Sequence, residues 1–381
     1  MKTGICLNMI IKNEAKNLPR LFQSLHKVID YYVISDTGST DNSVEIIKEL
    51  GAKYHIDGII ESHPWHDFAT NRNIALNMAI KALHEQKHQC KWWLVFDPDE
   101  ELIIEDQSFY TKLNENYSYC ISKEYNNIHS APLLLLSFKQ KDWQWQGAIH
   151  NFLDNKSDHK KSKLAEGISI KCHVFEGAKS KAFANQKEKS LKDIELLETE
   201  LQNSIPSPDN IHRYFSLANE YHEATNYSKA TEIFNLILSQ ANPSQKTFIY
   251  FTHIQLGNIY FEIFHREEKA IYHYEKAIET NNKRKEAYYF MAKINMLKKD
   301  YVQAEKYLQK AIQITSVPQG EMYYLDIYRW KIEYDLILTT IHLNKTNEAK
   351  SMFQLMKSNQ FLPTNRLKLL DTLLLKIESK R

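Results

Sequence analysis

The chain has 381 residues, enough for two domains of ordinary size. Its 49 lysine and arginine residues nearly balance 47 aspartate and glutamate residues, which argues against a general positive field for nucleic acid or an anionic membrane. The four cysteines form no CxxC pair, so we expect reduced thiols in a cytoplasmic protein. The apolar run near the N-terminus is too short and polar for a signal peptide. Elsewhere the longest apolar run is Ala131 to Leu136, far below the ~20 residues of a membrane helix.

Strand-like and helix-like segments alternate through the first 100 residues. The predicted strands are Gly4–Ile11, Tyr31–Ser35 and Trp92–Phe96. The predicted helices are Glu14–His26, Asn42–Leu50 and Phe68–His84. This order favours a mainly parallel sheet covered by helices, a fold that binds ligands beyond the carboxyl ends of its strands. Asp36 and Asp97 both follow predicted strands, so the topology places them on the same side.

From about Lys187 the pattern changes to consecutive helices that repeat. A small residue recurs at Ala218, Gly257 and Ala292, after 39 and then 35 residues, with aromatic residues nearby in each copy. A period of about 34 residues with small residues at helix contacts is typical of tetratricopeptide repeats, which residues 211–357 resemble. Stacked helix pairs present a concave surface that holds peptides, although the repeats could instead only support the first domain.

These patterns predict an α/β domain followed by an all-α domain of tetratricopeptide-like repeats. The predicted boundaries are residues 1–185 for the α/β domain, 186–210 for a linker helix and 211–381 for the repeats. The Pro206-Ser-Pro208 break after a polar helix marks the junction.

An acidic motif, Asp97-Pro98-Asp99-Glu100, follows the apolar strand Trp92–Phe96. Carboxylates at a strand end suit hard cations such as Mg²⁺ or Mn²⁺. A metal there would bridge a diphosphate and stabilise it as a leaving group. For a motif this short, the alternative is a solvated acidic turn.

Two further segments favour the metal site over the acidic turn. The turn Asp36-Thr-Gly-Ser-Thr-Asp41 ends the second strand, where an aspartate accepts a hydrogen bond from a base or ribose and Gly38 permits close approach of the backbone. Arg72 lies on the helix before the acidic motif and suits bidentate pairing with phosphate oxygens. Taken singly, each residue is more often a cap, a turn or a surface pair.

In this order the segments resemble the family-two glycosyltransferases of the GT-A fold, and the resemblance implies that the α/β domain is a nucleotide-sugar-binding domain. That family has an Asn-Glu pair after its first strand, here Asn13-Glu14, and then the aspartate turn, an Arg-Asn helix and the acidic strand end. A subset carries Asp-Phe-Ser-x-x-Arg-Asn, Trp-x-Gly-x-Val-His-Glu and a late His-x-Gly element. The matching stretches here are Asp67 to Asn73, Trp145 to Asn151 and His173 to Gly177. Members of the subset often carry tetratricopeptide repeats, as do bacteriocin glycosyltransferases resembling the sublancin enzyme. The resemblance extends over about residues 3–180.

The resemblance implies a role for each matching residue. The implied donor-binding residues are Asn13, Glu14, Asp36, Asp67, Arg72 and Asp97. Asp36 and Glu14 would contact the nucleoside, whereas Asp67 and Arg72 would hold the ribose–diphosphate side. The implied metal ligands are Asp97, Asp99 and His173. For His173, a histidine satisfied by hydrogen bonds beside a strand is the alternative.

The sequence departs from this subset at the position of the general base. Inverting members need a base that takes a proton from the acceptor, and a glutamate after the histidine of the Trp-x-Gly element is the candidate. Here that position is Asn151, which cannot take a proton. The candidate replacements are His150, Asp142 and Asp154, or else the acceptor is a thiol that needs less help.

Two functions therefore stay open. The first is a metal-dependent, inverting glycosyltransferase that uses a UDP-sugar with Mn²⁺ or Mg²⁺ and a peptide, protein or glycan acceptor. In this case the repeats would hold the acceptor or a partner protein. The second is a scaffold in which an inactive transferase domain is joined to a peptide-binding solenoid. Asn151 favours the scaffold, whereas the intact pair of Asp97 and Asp99 favours the enzyme, which is our expectation.

Overall fold

The computed structural model of the protein describes residues 3–85, 87–125, 127–140, 142–147, 149–155, 162–173, 185–202, 204, 206–207, 209–318 and 321–378. The chain divides into two compact units. The first consists of residues 1–204 with the short segments 223–225 and 319–321, and the second contains the rest. The helix at residues 186–200, which the sequence analysis assigns to a linker, is grouped with the first unit.

The first unit combines strands and helices. Its strands are β1 (Ile5–Ile11), β2 (Tyr31–Asp36), β3 (Asp57–Ser62), β4 (Trp92–Val95), β5 (Glu100–Ile104), β6 (Ser118–Tyr125), β7 (Ile128–Ser130), β8 (Leu133–Ser137), β9 (Trp143–Gln146), β10 (Phe152–Asn155) and β11 (Ser162–Cys172). Its helices are α1 (Leu18–Leu25), α2 (Ser43–Tyr54), α3 (Phe68–His84) and α4 (Gln186–Glu200), with a 3₁₀ turn at Phe109–Lys112.

The sheet is parallel in its first four strands and mixed beyond them. β1 lies between β2 and β4 and is parallel to both, and β3 is parallel to β2. β8 runs antiparallel to β4 and to β6, and β7 is antiparallel to β6. β11 pairs with β6 in parallel and with β5 in antiparallel fashion. The expectation of a mainly parallel sheet is therefore too simple, because short connections such as the one between Tyr125 and Ile128 permit only antiparallel pairing.

The core of the first unit forms where α1 and α3 cover the central strands. All seven residues of β1 are buried, as expected for a strand covered on both faces. The buried face of α1 consists of Leu18, Leu21, Phe22 and Leu25, as the helical spacing predicts. The helix begins at Leu18 rather than at Glu14. Residues 14–17 form a turn in which the Asn17 N–H donates to the Glu14 carbonyl at 2.8 Å, and Pro19 favours a helix start at this point.

The second unit is built almost entirely from helices. They are α5 (Ile211–Glu223), α6 (Tyr227–Gln240), α7 (Lys246–Asn258), α8 (Glu267–Thr280), α9 (Glu286–Leu297), α10 (Tyr301–Gln313), α11 (Ile332–His342), α12 (Thr346–Met356) and α13 (Thr364–Glu378). π-Helical turns occur at Ile259–Ile263 and Ile327–Lys331, and a two-residue strand, β12, at Tyr323–Tyr324.

The recurring small residues of the second unit lie where helices pack. Ala218 and Ala292 are fully buried. A Cβ atom on Gly257 would lie 2.4 Å from the ring of Tyr274, so only glycine permits this approach of α7 to α8. The regular spacing of small residues in the sequence therefore corresponds to the spacing of the contacts between packed helices. Within the described residues, no helix has both the length and the apolar character needed to cross a membrane.

Candidate functional site

Three polar segments, those that follow β1, β2 and β4, lie at the carboxyl edge of the parallel strands. The register aligns Ile11 with Asp36 across β1 and β2, and Asn8 with Val95 across β1 and β4. The segments that follow these strands therefore emerge at one edge, as the sequence predicts for Asp36 and Asp97. This edge is where open α/β sheets bind their ligands.

The turn after β2 is shaped by Asn13. Its side-chain oxygen accepts hydrogen bonds from the Thr40 N–H at 2.7 Å and the Asp41 N–H at 3.3 Å. Its own N–H donates to the Ser39 hydroxyl at 2.9 Å, and Asn13 adopts a left-handed backbone with φ of 55°. Asn13 thus joins the loop after β1 to the turn after β2.

Asp36 ends β2, and Gly38 lies in the turn that follows it. Asp36 is 4% exposed, and its carboxylate accepts the Ser39 N–H at 3.1 Å and the Ser62 hydroxyl at 3.4 Å, which leaves acceptor capacity on its oxygens. Gly38 has φ of 95°, which favours glycine. A Cβ atom there would meet nothing within 4 Å, so the space beside the turn is open to a ligand.

Glu14 already has hydrogen-bond partners within the protein. Its side chain is buried and accepts a hydrogen bond from the Asn17 amide at 2.7 Å, and its N–H donates to the Ser43 hydroxyl at 2.8 Å. Asp41 binds the same loop by accepting the Ala15 N–H at 3.2 Å. Burial acts to raise the pKa of Asp41, but hydrogen bonds from Ser43 and Ala15 outweigh it and lower that pKa.

Asp67 caps the N-terminus of α3. One carboxylate oxygen accepts the Thr70 N–H at 2.8 Å and the other accepts the Thr70 hydroxyl at 2.6 Å. Asn71, which is fully buried, holds the preceding loop by accepting the His66 N–H and donating to the Pro64 carbonyl, both at 2.9 Å. The Asp67–Asn73 segment thereby fixes the start of α3 and the position of Arg72.

Arg72 connects α3 to the acidic motif. Its Nη2 lies 2.5 Å from Asp97 Oδ1, and its guanidinium carbon lies 4.8 Å from the centre of the Trp145 ring. The adjacent Asn73 exchanges two hydrogen bonds with the Trp145 main chain, at 2.8 and 3.0 Å. This role of Asn73, which brings β9 to the site, does not follow from the sequence pattern.

The acidic motif contains one buried and two partly accessible carboxylates. Glu100 is 2% exposed and forms an ion pair with Lys123, a residue that the sequence analysis missed. Burial raises the pKa of Glu100 to about 7, against the opposing attraction of Lys123. Burial and then the neighbouring charge of Asp97 also raise the pKa of Asp99. A divalent cation would relieve this cost, so the carboxylates of Asp97 and Asp99 fit the chemistry of Mg²⁺ or Mn²⁺.

The pairing of β11 with β5 brings His173 beside this motif. The His173 N–H donates to the Asp99 carbonyl at 2.9 Å. Its Nε2 lies 2.8 Å from Glu101 Oε2, so this ring nitrogen is already engaged by a carboxylate.

The candidate bases lie around the β9–β10 hairpin. Asp142 and His150 are exposed and adopt left-handed backbones, with φ of 69° and 43°. Asp154 pairs with Gln144 and is therefore on the opposite face of the hairpin from Trp145, which pairs with Leu153. Asn151 is partly buried. Of the three, Asp142 directly precedes β9, and His150 lies between β9 and β10.

Comparison with known proteins assigns a family to the N-terminal part. Residues 6–122 match the family model described as glycosyl transferase family 2. A TPR repeat-containing protein of Synechococcus elongatus is 32% identical over 162 residues, covering 40% of this chain and 36% of the relative. An uncharacterized glycosyltransferase of Rickettsia felis is 30% identical over 99 residues, covering 26% of this chain and 30% of the relative. The chain thus spans about a third of the length of these curated relatives.

Two solved structures with low similarity to the chain are those of the MamA protein and of a domain of stress-induced protein-1. The MamA protein superposes with a TM-score of 0.35 at 17% identity, covering 46% of this chain and 89% of that one. The N-terminal domain of stress-induced protein-1 from C. elegans has a TM-score of 0.29 at 20% identity, covering 34% of this chain and 97% of that one.

Proposed function

Because residues 6–122 belong to a family-two glycosyltransferase domain, we propose that the protein transfers a sugar from a nucleotide donor to an acceptor. The observation that carries the proposal is the 36% exposed carboxylate of Asp97, held by Arg72 at the carboxyl edge of the sheet near Asp36 and Asp99. Such an arrangement offers a hydrogen-bond acceptor for a nucleoside, a cation for phosphate and carboxylates for a metal.

The donor in this proposal is a UDP-sugar. The remaining acceptor capacity of Asp36 suits a base or ribose N–H or O–H group, and the open space beside Gly38 admits it. Arg72 lies on the next segment of the same edge, where its guanidinium would hold phosphate oxygens. Asn13 and Asp67 support this site indirectly, because the contacts of each hold a loop or a helix start.

The proposed cofactor is Mn²⁺ or Mg²⁺, held by Asp97 and Asp99 with His173 beside them. The ion would offset the negative charge that develops on the departing diphosphate. Arg72 would contribute to the same stabilisation from the protein side.

Transfer forms a bond between the acceptor nucleophile and the anomeric carbon and breaks the bond from that carbon to the diphosphate. The nucleotide leaves with the electron pair, and the acceptor proton passes to a base. His150 is the proposed base, since its side chain is exposed in the turn that follows the held strand β9. The acceptor is a peptide, protein or glycan, and the repeats of the second unit offer a surface for it or for a partner protein.

The second candidate function is a scaffold with an inactive transferase domain, and Asn151 in place of a carboxylate favours it. Isothermal calorimetry and a hydrolysis screen of nucleotide sugars separate the two. We expect UDP to bind with Mn²⁺ and to lose affinity with chelator or in Asp99→Asn. Asp57→Asn removes an exposed carboxylate at the opposite end of β3 and should leave binding unchanged. Equal UDP affinity with and without metal would contradict the metal site, and binding without any turnover would favour the scaffold.

A further inference from the structure

Cys6 and Cys90 are two buried thiols at the amino edge of the parallel strands, the edge opposite the candidate site. Cys6 is the second residue of β1, and Cys90 lies two residues before β4 begins. The Lys91 N–H donates to the Gly4 carbonyl at 2.7 Å, which holds the segment of Cys90 against the start of β1. The two thiols form a side-chain hydrogen bond with each other. This contact brings together the two sulfur atoms that a disulfide needs.

The surroundings make the two thiols unequal. The Cys90 N–H donates to His88 Nδ1 at 3.2 Å, which places this ring beside Cys90. Hydrogen bonds from Cys6 and then from His88 lower the pKa of the Cys90 thiol, although burial and the negative charge of Asp30 oppose this. Burial raises the pKa of the Cys6 thiol. The thiolate is the nucleophilic form of cysteine, so Cys90 is the thiol that reacts first and Cys6 is the one that stays protonated.

Cys90 is also the accessible member of the pair. It lines a cavity of about 660 Å³ together with His88, Asp30 and Glu115, whereas Cys6 is fully buried. This volume is many times that of a water molecule, and charged side chains contribute to its walls. A small polar oxidant therefore has a route to Cys90 but not directly to Cys6.

We propose that Cys90 and Cys6 form a reversible disulfide site that a peroxide oxidises. The Cys90 thiolate attacks one peroxide oxygen, so that an S–O bond forms and the O–O bond breaks. The second oxygen leaves as hydroxide or alkoxide and takes a proton from water. This step oxidises the sulfur by two electrons and reduces the peroxide by two. The Cys6 sulfur then attacks the Cys90 sulfur, an S–S bond forms, and the hydroxyl group on Cys90 leaves as water with the Cys6 proton.

The local structure favours both closure and reopening of this bond. Residues 88–90 belong to no helix or strand, so the segment of Cys90 can shift toward β1 as the sulfur atoms approach covalent distance. The cavity also admits a small thiol, which reopens the bond by attack on the Cys90 sulfur. The site takes no part in sugar transfer, so the inference does not rest on the proposed function.

Peptide mapping of the reduced full chain after exposure to hydrogen peroxide tests the site. Free thiols are alkylated in denaturant, and the linked peptides are identified by mass spectrometry. We expect a peptide pair joined through Cys6 and Cys90, which dithiothreitol separates. Cys120 and Cys172 are internal controls, because burial raises the pKa of each. Cys90 should react about tenfold faster than either control or more, since far less of their thiol is ionised. Absence of the linked pair, or equal oxidation of all four cysteines, would overturn the inference.

Single variants test the order of the two steps. In Cys6→Ser the sulfenic acid on Cys90 has no thiol to react with, so we expect it to accumulate and to be trapped by dimedone. In Cys90→Ser we expect Cys6 to resist peroxide, because it is buried and protonated. Cys120→Ser is the matched control and should form the disulfide at the normal rate. Oxidation of Cys6 at the normal rate in Cys90→Ser would contradict the proposed order. If a variant does not fold, the peptide map of the unaltered protein decides.

Discussion

Asn73 and Trp145 exchange two hydrogen bonds across 72 residues of sequence: the Asn73 amide donates to the Trp145 carbonyl at 3.0 Å and accepts the Trp145 N–H at 2.8 Å. A carboxamide that pairs with a strand in this way extends the hydrogen bonding of a sheet to a helix. Asn73 thus helps to hold β9, the strand that precedes His150 and Asn151, against α3.

Replacing Asn73 by alanine should loosen the hairpin without unfolding the sheet. Two main-chain groups lose their partner, which costs about 1–3 kcal/mol locally. Hydrogen exchange at the amides of β9 and β10 should accelerate, and transfer should decline more than UDP affinity. Asn235→Ala removes an exposed amide that bonds only within its own helix, and it should leave both quantities unchanged. Slow exchange in β9 of Asn73→Ala would contradict this role.

The pair of Glu100 and Lys123 should be more sensitive to a single change than to a double one. Glu100 is 2% exposed, so Lys123→Met leaves a buried carboxylate without its cation, at a cost of about 3–5 kcal/mol. Adding Glu100→Gln should recover a large part of the loss, because a neutral amide has a smaller desolvation cost. Urea unfolding of the single and double variants measures the difference. Two losses that simply add would exclude coupling between the residues.

His253 and His273 predict a pH dependence of the stability of the second unit. Their Nδ1 atoms lie 3.0 Å apart, and burial lowers the pKa of each to about 4. An unfolded chain protonates histidine near pH 6.5, so between about pH 6.5 and 4 it binds more protons than the folded protein. The free energy of unfolding should therefore fall as the pH decreases through this window.

Thermal unfolding between pH 7.5 and pH 5 tests this dependence. The positive charges of Lys276 and Lys269 also lower the pKa values of these histidines, whereas the negative charge of Glu279 opposes this. Glu279→Gln should therefore not remove the pH dependence of stability. His273→Asn should reduce the slope, since one of the two buried imidazoles is lost. An identical slope in that variant would show that other groups dominate the acid sensitivity.

His150→Ala tests the proposed base. If the imidazole takes the acceptor proton, its loss should reduce transfer by roughly 10²–10⁴ while UDP affinity is retained. Asp142→Asn and Asp154→Asn test the other two candidate bases. Asp154 is on the other face of the hairpin from Trp145, so we expect its loss to have the smaller effect. Transfer at the normal rate in His150→Ala would exclude this role. Survival of activity in all three variants would favour an acceptor thiol.

Local sequence predicts those parts of the fold that local interactions determine. The bounds of α3 agree with the prediction of Phe68–His84, since Asp67 supplies a cap and the helix runs without interruption. β3 was missed because it lies beside β2 with mostly half-buried or exposed side chains and has no apolar run. The strands from β5 to β11 are short or mixed in polarity, and their pairing depends on partners distant in the chain.

The same distinction holds for the candidate site. The residues at strand ends, Asp36 and Asp97, follow from the order of strands and helices. Lys123 does not, because its contact with Glu100 depends on the position of β6, and neither does the contact of Asn73 with Trp145.

The ion pair of Arg72 and Asp97 has a consequence for the thermodynamics of ligand binding. Each residue neutralises the other, yet the proposed diphosphate needs Arg72 and the proposed cation needs Asp97. Whichever ligand binds first must break the pair, and it thereby releases the residue that the other requires. Cation and nucleotide would then show reciprocal positive linkage, each raising the affinity for the other by the same factor.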